Sequence, residues 1–137
     1  MARTVFVDTG YLVALVDPKD ALHAKAKRLA HDLATVTAKL ISGDAVCLEL
    51  LNYFARSPLR RECAAWLEAL RADAGWEIVP LDADWMRRGE ALYRRFADKG
   101  WSLTDCVCME IMRAKKIGEV ATPDAHFEQA GFRALLR

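Results

Sequence analysis

Hydrophobic positions along the chain follow two spacings in turn, and these predict alternating strands and helices. Short runs rich in β-branched and aromatic residues predict buried strands. Apolar residues that recur every three or four positions predict amphipathic helices. Strands are expected at residues 4–7, 39–42, 77–79 and 120–122, with an edge strand at 132–136.

Capping residues and helix breakers divide the intervening segments into helices. A first apolar helix over residues 11–16 follows a turn at Asp8-Thr9-Gly10 and stops at Asp17-Pro18. Ser57-Pro58 combines a capping serine with a proline at the first helical position. Helices are also expected after a cap at Asp20, from Asp44, from Ser57 towards Gly75, from Asp82, from a capping box at 102–105 to about Lys116, and briefly after Pro123.

This alternation predicts an α/β fold with a central parallel sheet of four or five strands and helices on both faces. The strands are short apolar runs without strict polar alternation, as expected when both faces are covered. A chain of 137 residues is the size of one domain, so a single domain over residues 1–137 is expected.

Composition narrows the class of protein. Hydrophobic residues make up 53% of the chain, enough for a core without disulfides, and the net charge is only +1. This balance excludes a disordered tail and a broadly basic nucleic-acid coat protein. A nucleic acid would have to bind to a local patch of basic residues.

The cysteines and the N-terminus indicate a cytoplasmic protein that does not enter membranes. No apolar stretch is long enough to cross a bilayer, and Asp8 interrupts the N-terminal apolar run with no cleavage site after it. The four cysteines lack the spacing of a zinc site, so reduced thiols are expected. They are Cys47, Cys63, Cys106 and Cys108.

Four carboxylates are expected to converge at one edge of the sheet. Asp8 ends the first strand and Asp124 follows the fourth, while Glu49 and Asp105 fall in the first two turns of helices. Ligands of open α/β sheets bind at the carboxyl ends of the strands. Clustered carboxylates repel one another, and Mg²⁺ or Mn²⁺ is the cation that suits an all-oxygen site.

Each acid also has an ordinary structural explanation. Asp8 and Asp124 could simply cap the following helices, and Asp105 could be half of a capping box. Glu49 could be a solvated helix residue, although its neighbours within 46–51 are apolar.

Four segments of the chain resemble the acidic motifs of PIN-domain ribonucleases. They are Val5–Leu15, Cys47–Leu50, Trp101–Cys106 and Thr122–Phe127, and their order and separations match the family over nearly the whole chain. One departure is that Gly43, next to Ser42, stands where the family usually has a threonine before the second motif. Ser42 is the candidate to supply that hydroxyl.

The resemblance implies a three-layer α/β/α fold and an acidic site that binds Mg²⁺ or Mn²⁺ and hydrolyses RNA. Position by position, the acids are Asp8, Glu49, Asp105 and Asp124, and Thr104 matches a hydroxyl often found beside the third. Asp8, Asp105 and Asp124 would hold the metal, while Glu49 would orient or deprotonate water or complete the metal shell. The chain length is similar to that of VapC-type toxins, which pair with a small antitoxin and often form homodimers.

Arginines outside the motifs are the candidates for RNA binding. They are Arg56, Arg60 and Arg61 after the Glu49 helix, and Arg94 and Arg95 before the Asp105 helix, and all could instead be solvated charges. His126 follows Asp124 closely and could approach substrate, and Tyr11 could stack on a base, but His126 is interpreted as a surface histidine and Tyr11 as a core residue. Trp66 and Trp85 are also interpreted as core residues.

Other functions fit the residues less well. An aspartyl-phosphate phosphatase would need a second aspartate at the position of Gly10, and a receiver domain would need a lysine ending a later strand. A catalytically silent PIN-like binding module would be expected to have lost an acid. A PIN-domain nuclease that processes RNA without being a toxin remains open.

Overall fold

A computed structural model describes residues 2–137, and its centre is a five-stranded sheet in which every pair of neighbours is parallel. The strands are β1 (Thr4–Val7), β2 (Lys39–Gly43), β3 (Trp76–Val79), β4 (Glu119–Ala121) and β5 (Arg133–Ala134). The first four lie within one residue of their predicted bounds. The edge strand β5 has two residues where five were expected.

Seven helices connect the strands. They are α1 (Thr9–Val16), α2 (His23–Thr35), α3 (Asp44–Tyr53), α4 (Arg60–Ala72), α5 (Ala83–Arg95), α6 (Leu103–Lys115) and α7 (Ala125–Gln129). The predicted α/β class is confirmed, with an all-parallel sheet at its centre.

The strand order, β3-β2-β1-β4-β5, reverses direction at β1. β1 pairs with β2 on one side and with β4 on the other, with Val7 opposite Ala121. A crevice therefore opens at the carboxyl ends of β1 and β4, the position where open α/β sheets bind ligands.

The helices form two layers over the sheet. Right-handed crossovers, the rule for parallel strands, place α1–α4 over one face and α5–α7 over the other. Within the layers, α1 packs on α2 and α3, and α5 packs on α6, while α3 also contacts α6 of the other layer. The central strand β1 is buried on both sides, with Val5, Phe6 and Val7 fully inaccessible to solvent.

Two helices begin as their predicted caps require. Asp82 accepts a hydrogen bond from the Trp85 amide at 2.9 Å and caps α5. Ser102 and Asp105 form the reciprocal capping box of α6.

Three predicted helix starts were wrong. α1 begins at Thr9 with no turn, because Asp8 remains extended and the helix starts directly after it. Asp20 and Ser57 do not cap a first turn. Each accepts an amide hydrogen bond two residues ahead, at 2.8 Å from Leu22 and 3.0 Å from Leu59, so the helices begin only at His23 and Arg60.

All four cysteines are buried and free. Burial raises the pKa of the Cys106 thiol to about 11 and that of Cys108 well above its usual value, so both thiols stay protonated at neutral pH. In the described part of the chain, no helix combines the length and apolar character needed to cross a membrane.

Candidate active site

Asp8 lies at the carboxyl end of the central strand and is almost fully buried. Its backbone amide donates to the Ala121 carbonyl at 3.2 Å, which ties the end of β1 to β4. Its side chain accepts a hydrogen bond from the Thr122 hydroxyl at 2.9 Å. The strand end and the Thr122 hydroxyl together fix the orientation of the Asp8 carboxylate.

Asp124 is held next to Asp8 by the same threonine. The Asp124 amide donates to the Thr122 hydroxyl at 3.1 Å, and the Asp124 side chain caps α7 by accepting from the His126 amide at 2.9 Å. Gly10 allows this approach, since a Cβ there would lie 2.9 Å from Cδ of Pro123. The predicted capping role of Asp124 is confirmed, and it places the carboxylate at the crevice.

Asp105 reaches the crevice from the first turn of α6. It is buried, and its Oδ2 accepts a hydrogen bond from the Ser102 amide at 3.1 Å. The same oxygen lies 3.0 Å from Nδ1 of His126. The capping box therefore serves two purposes, because it starts the helix and points the carboxylate into the crevice.

Glu49 lies on α3 and is the one exposed member of the four acids. Its apolar neighbours had suggested that a solvated position was unusual. That reasoning was wrong, because Leu48 is itself 60% exposed and Leu51 37% exposed. Glu49 lines the crevice from its solvent side.

All four predicted acids line one pocket of about 520 Å³, referred to below as the acidic pocket. The side chains come from elements up to 116 positions apart in the sequence, from Asp8 to Asp124. No lysine or arginine lines it among the described residues. Its lining residues are Asp8, Thr9, Gly10, Val13, Asp20, Leu22, Glu49, Tyr53, Gly100, Ser102, Asp105, Thr122, Pro123, Asp124 and His126.

The predicted substrate residues lie outside the acidic pocket. Thr104 is half-buried on α6, and Arg56 is exposed after α3. Arg60 donates to the Ala55 carbonyl at 2.9 Å, and Arg94 lines a neighbouring cleft. Ser42 donates to the Val7 carbonyl at 2.8 Å, so its hydroxyl joins β2 to β1 next to Asp8.

The buried position of Asp8 makes its charge costly. The pKa of Asp8 is raised to about 7, chiefly by burial and to a smaller extent by the nearby Asp105 and Glu49 carboxylates. Hydrogen bonds from the Thr9 amide and the Thr122 hydroxyl oppose this shift. A cation in the pocket would remove the penalty, because it would neutralise the carboxylates that repel one another.

His126 is the site residue that the sequence interpretation missed. Its Nδ1 lies 3.0 Å from Asp105 Oδ2 and 3.4 Å from Asp124 Oδ2, so it is not a free surface histidine. Ligand atoms of these three residues all lie within 4.8 Å of one another. The available signal was its position two residues after the helix cap, where a side chain can fold back over the capping carboxylate.

The donor set fits a divalent cation. It consists of the Asp105 and Asp124 carboxylates with the imidazole nitrogen of His126 beside them, a set of ligands that can hold a divalent metal ion. The buried Thr9 hydroxyl oxygen, which also belongs to a lining residue, has no hydrogen-bond partner in the described protein. A buried hydroxyl without a protein partner is expected where water, an ion or substrate completes the site.

Comparison with known proteins gives one family match and several structural relatives. The PIN domain model matches residues 5–133. None of the curated proteins matched the sequence. VapC20 from Mycobacterium tuberculosis, a toxin that cleaves the Sarcin-Ricin loop, is 26% identical with a TM-score of 0.83, over 93% of this chain and 95% of that one.

Two more distant structures share the fold. VapBC2 from Rickettsia felis, bound to a promoter DNA fragment, is 14% identical with a TM-score of 0.69, over 96% of both chains. DNA-bound VapBC from Salmonella typhimurium is also 14% identical with a TM-score of 0.69, over 98% of this chain and 97% of that one. The predicted resemblance to VapC-type PIN ribonucleases is confirmed, and because the family model matches nearly the entire sequence, the chain belongs to the PIN domain family.

Proposed function

We propose that this protein is a metal-dependent endoribonuclease and the toxin of a toxin–antitoxin pair. The observation that carries the proposal is the convergence of Asp8, Glu49, Asp105 and Asp124 on one pocket at the switch point of a PIN fold. Four acids from separate elements have no shared structural purpose there, since only Asp105 and Asp124 use their carboxylates as helix caps.

Asp8, Asp105 and Asp124 are the residues that would hold Mg²⁺ or Mn²⁺, with His126 beside them. When bound, such an ion lowers the pKa of a water molecule and neutralises charge on the leaving oxygen of a phosphodiester. Thr122 and Ser102 hold two of these carboxylates by hydrogen bonds, which limits the reorganisation needed during the reaction.

Glu49 is suited to handle the attacking water. It is exposed at the solvent side of the pocket, where a water molecule can reach it and where it can accept a proton. In the hydrolysis, the water oxygen bonds to phosphorus, one ester P–O bond breaks, and the leaving oxygen gains a proton. Glu49 alternatively completes the metal shell.

Positive charge for the RNA backbone has to come from outside the acidic pocket. Arg56, Arg60 and Arg94 are the proposed contacts, with Thr104 as a neighbouring hydroxyl on α6. Arg56 and Arg94 make no ion pair among residues 2–137, which supports their availability to phosphates.

The partner proposed for the chain is a small antitoxin protein. VapC20, the structural relative at 26% identity, is itself a toxin, and this likeness supports a partner of that kind. A PIN nuclease that processes RNA without an antitoxin is the alternative. A catalytically silent module is disfavoured, because all four acids are present in one pocket.

The test of catalysis compares wild type with Asp8→Asn on RNA in Mn²⁺, in Mg²⁺ and in EDTA. Asp8→Asn is expected to reduce cleavage by about 100-fold or more, because it removes one of the negatively charged groups proposed to hold the metal ion. The matched control is Glu68→Gln, an exposed acid on α4 outside the pocket, which should cleave like wild type. Equal cleavage by wild type and Asp8→Asn would refute the proposal.

Expression in a bacterial host separates the toxin from the RNA-processing alternative. Growth arrest by wild type but not by Asp8→Ala supports a toxic ribonuclease. Normal growth of cells that express wild type, together with RNA cleavage by the protein purified from them, would instead support a processing enzyme.

A further inference from the structure

A second cleft adjoins the acidic pocket at the connection between α5 and α6. It has a volume of about 800 Å³ and shares Gly100 and Ser102 with the acidic pocket. We propose that this flanking cleft binds the nucleotide next to the scissile phosphate, with its base on Tyr93 and its phosphate on Arg94. The flanking cleft is lined by Glu90, Tyr93, Arg94, Phe96, Ala97, Gly100, Trp101, Ser102 and Leu103.

The inference rests on the proposed function, because a cleaved strand has to continue beyond the acidic pocket. Phosphates on either side of the scissile bond meet a pocket lined with carboxylates and no lysine or arginine. They are repelled there, so the neighbouring phosphate needs a cation just outside the pocket. Because the two clefts share Gly100 and Ser102, an RNA strand that leaves the acidic pocket can enter the flanking cleft directly.

Arg94 is the cation of the flanking cleft and is free to bind phosphate. It makes no ion pair in the described part of the chain, although Glu90 also lines the cleft. Other arginines near this side are engaged, since Arg95 lies over the Phe96 ring and Arg88 lies over Trp85 and near Asp84. An unengaged guanidinium can bind a phosphate with two parallel hydrogen bonds.

The cleft also offers aromatic surface for a base. Tyr93 is 51% exposed and lines the flanking cleft, so part of its ring is accessible to a bound base. Phe96 and Trp101 line the same cleft with ring centroids 5.0 Å apart, and the indole N–H of Trp101 donates to Gln129 at 3.0 Å. Single-stranded nucleic acids are commonly bound by stacking on aromatic side chains together with a cation for the backbone.

Another cleft that adjoins the acidic pocket is less suited to bind a nucleotide. It shares Leu22 and Pro123 with the pocket and contains Arg133 and Arg137 but no aromatic residue. Both arginines are ion-paired, Arg133 with Glu119 and Arg137 with Glu128. The contrast favours the flanking cleft as the nucleotide-binding side.

The experiment measures binding of a short fluorescein-labelled oligoadenylate to the full chain in EDTA, where cleavage does not interfere. Tyr93→Ala and Arg94→Ala are each expected to raise Kd about tenfold. Tyr93→Phe keeps the ring and should bind within about twofold of wild type, as should the control Arg87→Ala on the same helix. Arg94→Ala should also reduce the slope of log Kd against log salt by about one. Melting temperatures of all variants verify that they are folded.

The inference is overturned if Tyr93→Ala and Arg94→Ala bind the oligonucleotide as wild type does, or if wild type itself does not bind. It is also overturned if these variants lose affinity for a purified antitoxin with unchanged RNA affinity, which would make the cleft a protein-docking surface. Cleavage assays distinguish this failure from failure of the nuclease. If wild type cleaves RNA and the Tyr93 and Arg94 variants bind RNA normally, only the role of the flanking cleft is refuted. If wild type does not cleave RNA but the variants bind RNA more weakly than wild type, only the proposed nuclease activity is refuted.

Discussion

At the scale of single residues, the burial of the Asp8 carboxylate is expected to reduce the stability of the metal-free protein. Its carboxylate is buried beside two other acids, and burial raises its pKa to about 7. In the unfolded chain the pKa of the same group is about 4. Between these values the unfolded chain releases a proton that the folded chain retains, so the free energy of unfolding falls as pH rises from about 4 to 7.

Asp8→Asn is therefore expected to stabilise the metal-free protein. In EDTA at pH 8, where the wild-type carboxylate is charged, the free energy of unfolding should rise by on the order of 2 kcal/mol. At pH 4 the two proteins should be nearly equal, because Asp8 is then protonated in the folded state. Thermal unfolding at both pH values, followed by circular dichroism, measures this difference.

Mn²⁺ should reverse the order of stability, because it binds the folded wild type and compensates the carboxylate charge. Wild type should gain melting temperature with Mn²⁺ and Asp8→Asn should gain little. A wild type that is more stable than Asp8→Asn in EDTA at pH 8 would contradict the argument.

At the scale of elements, the contact between α5 and α6 holds both the flanking cleft and the Asp105 carboxylate in place. The two helices pack so closely that a Cβ on Gly89 would collide with Cγ2 of Val107 and lie 3.2 Å from the Val107 backbone. This explains a glycine in the middle of α5, where it otherwise weakens the helix by about 1 kcal/mol relative to alanine.

Gly89→Ala should destabilise the protein by about 1–3 kcal/mol despite the better helix propensity of alanine, because the α6 backbone has to move. Val107→Ala in the same chain should recover part of the loss by removing the Cγ2 contact. The control is Gly118→Ala, where a Cβ meets nothing within 4 Å. Urea unfolding gives the three values, and equal stability of Gly89→Ala and wild type would exclude the close packing.

At the scale of the whole molecule, α3 presents apolar side chains to solvent. Leu48 and Leu51 lie three residues apart and are 60% and 37% exposed. Exposed apolar groups at helical spacing are typical of a surface that another protein covers. The homodimer that the resemblance to VapC-type toxins implies stays a prediction, and this exposed apolar surface on α3 supports it.

Leu48→Arg is expected to convert a dimer into a monomer, because it places a charge in the apolar contact. Light scattering after size-exclusion chromatography reports the mass directly. Glu68→Arg, an exposed substitution on α4, is the control that should leave the mass unchanged. A wild type that is monomeric at high concentration would refute the dimer.

Local sequence was enough to predict the element types and most strand bounds, because the spacing of apolar residues within a short segment distinguishes a buried strand from a helix. The capping box at Ser102 and Asp105 and the cap at Asp82 were predicted for the same reason. Helix starts at Asp20 and Ser57 were not, since an aspartate or serine side chain can close a turn without starting a helix.

The sequence alone also selected the four candidate acids, through four motifs in a fixed order, and the structure places all four at one pocket. Only the tertiary structure decided how they meet. Thr122 joins Asp8 to Asp124, and His126 lies between Asp105 and Asp124, relations that span up to 114 positions in the chain. Such contacts depend on strand order and on the close approach of Gly10 to Pro123, and neighbouring residues carry no information about either.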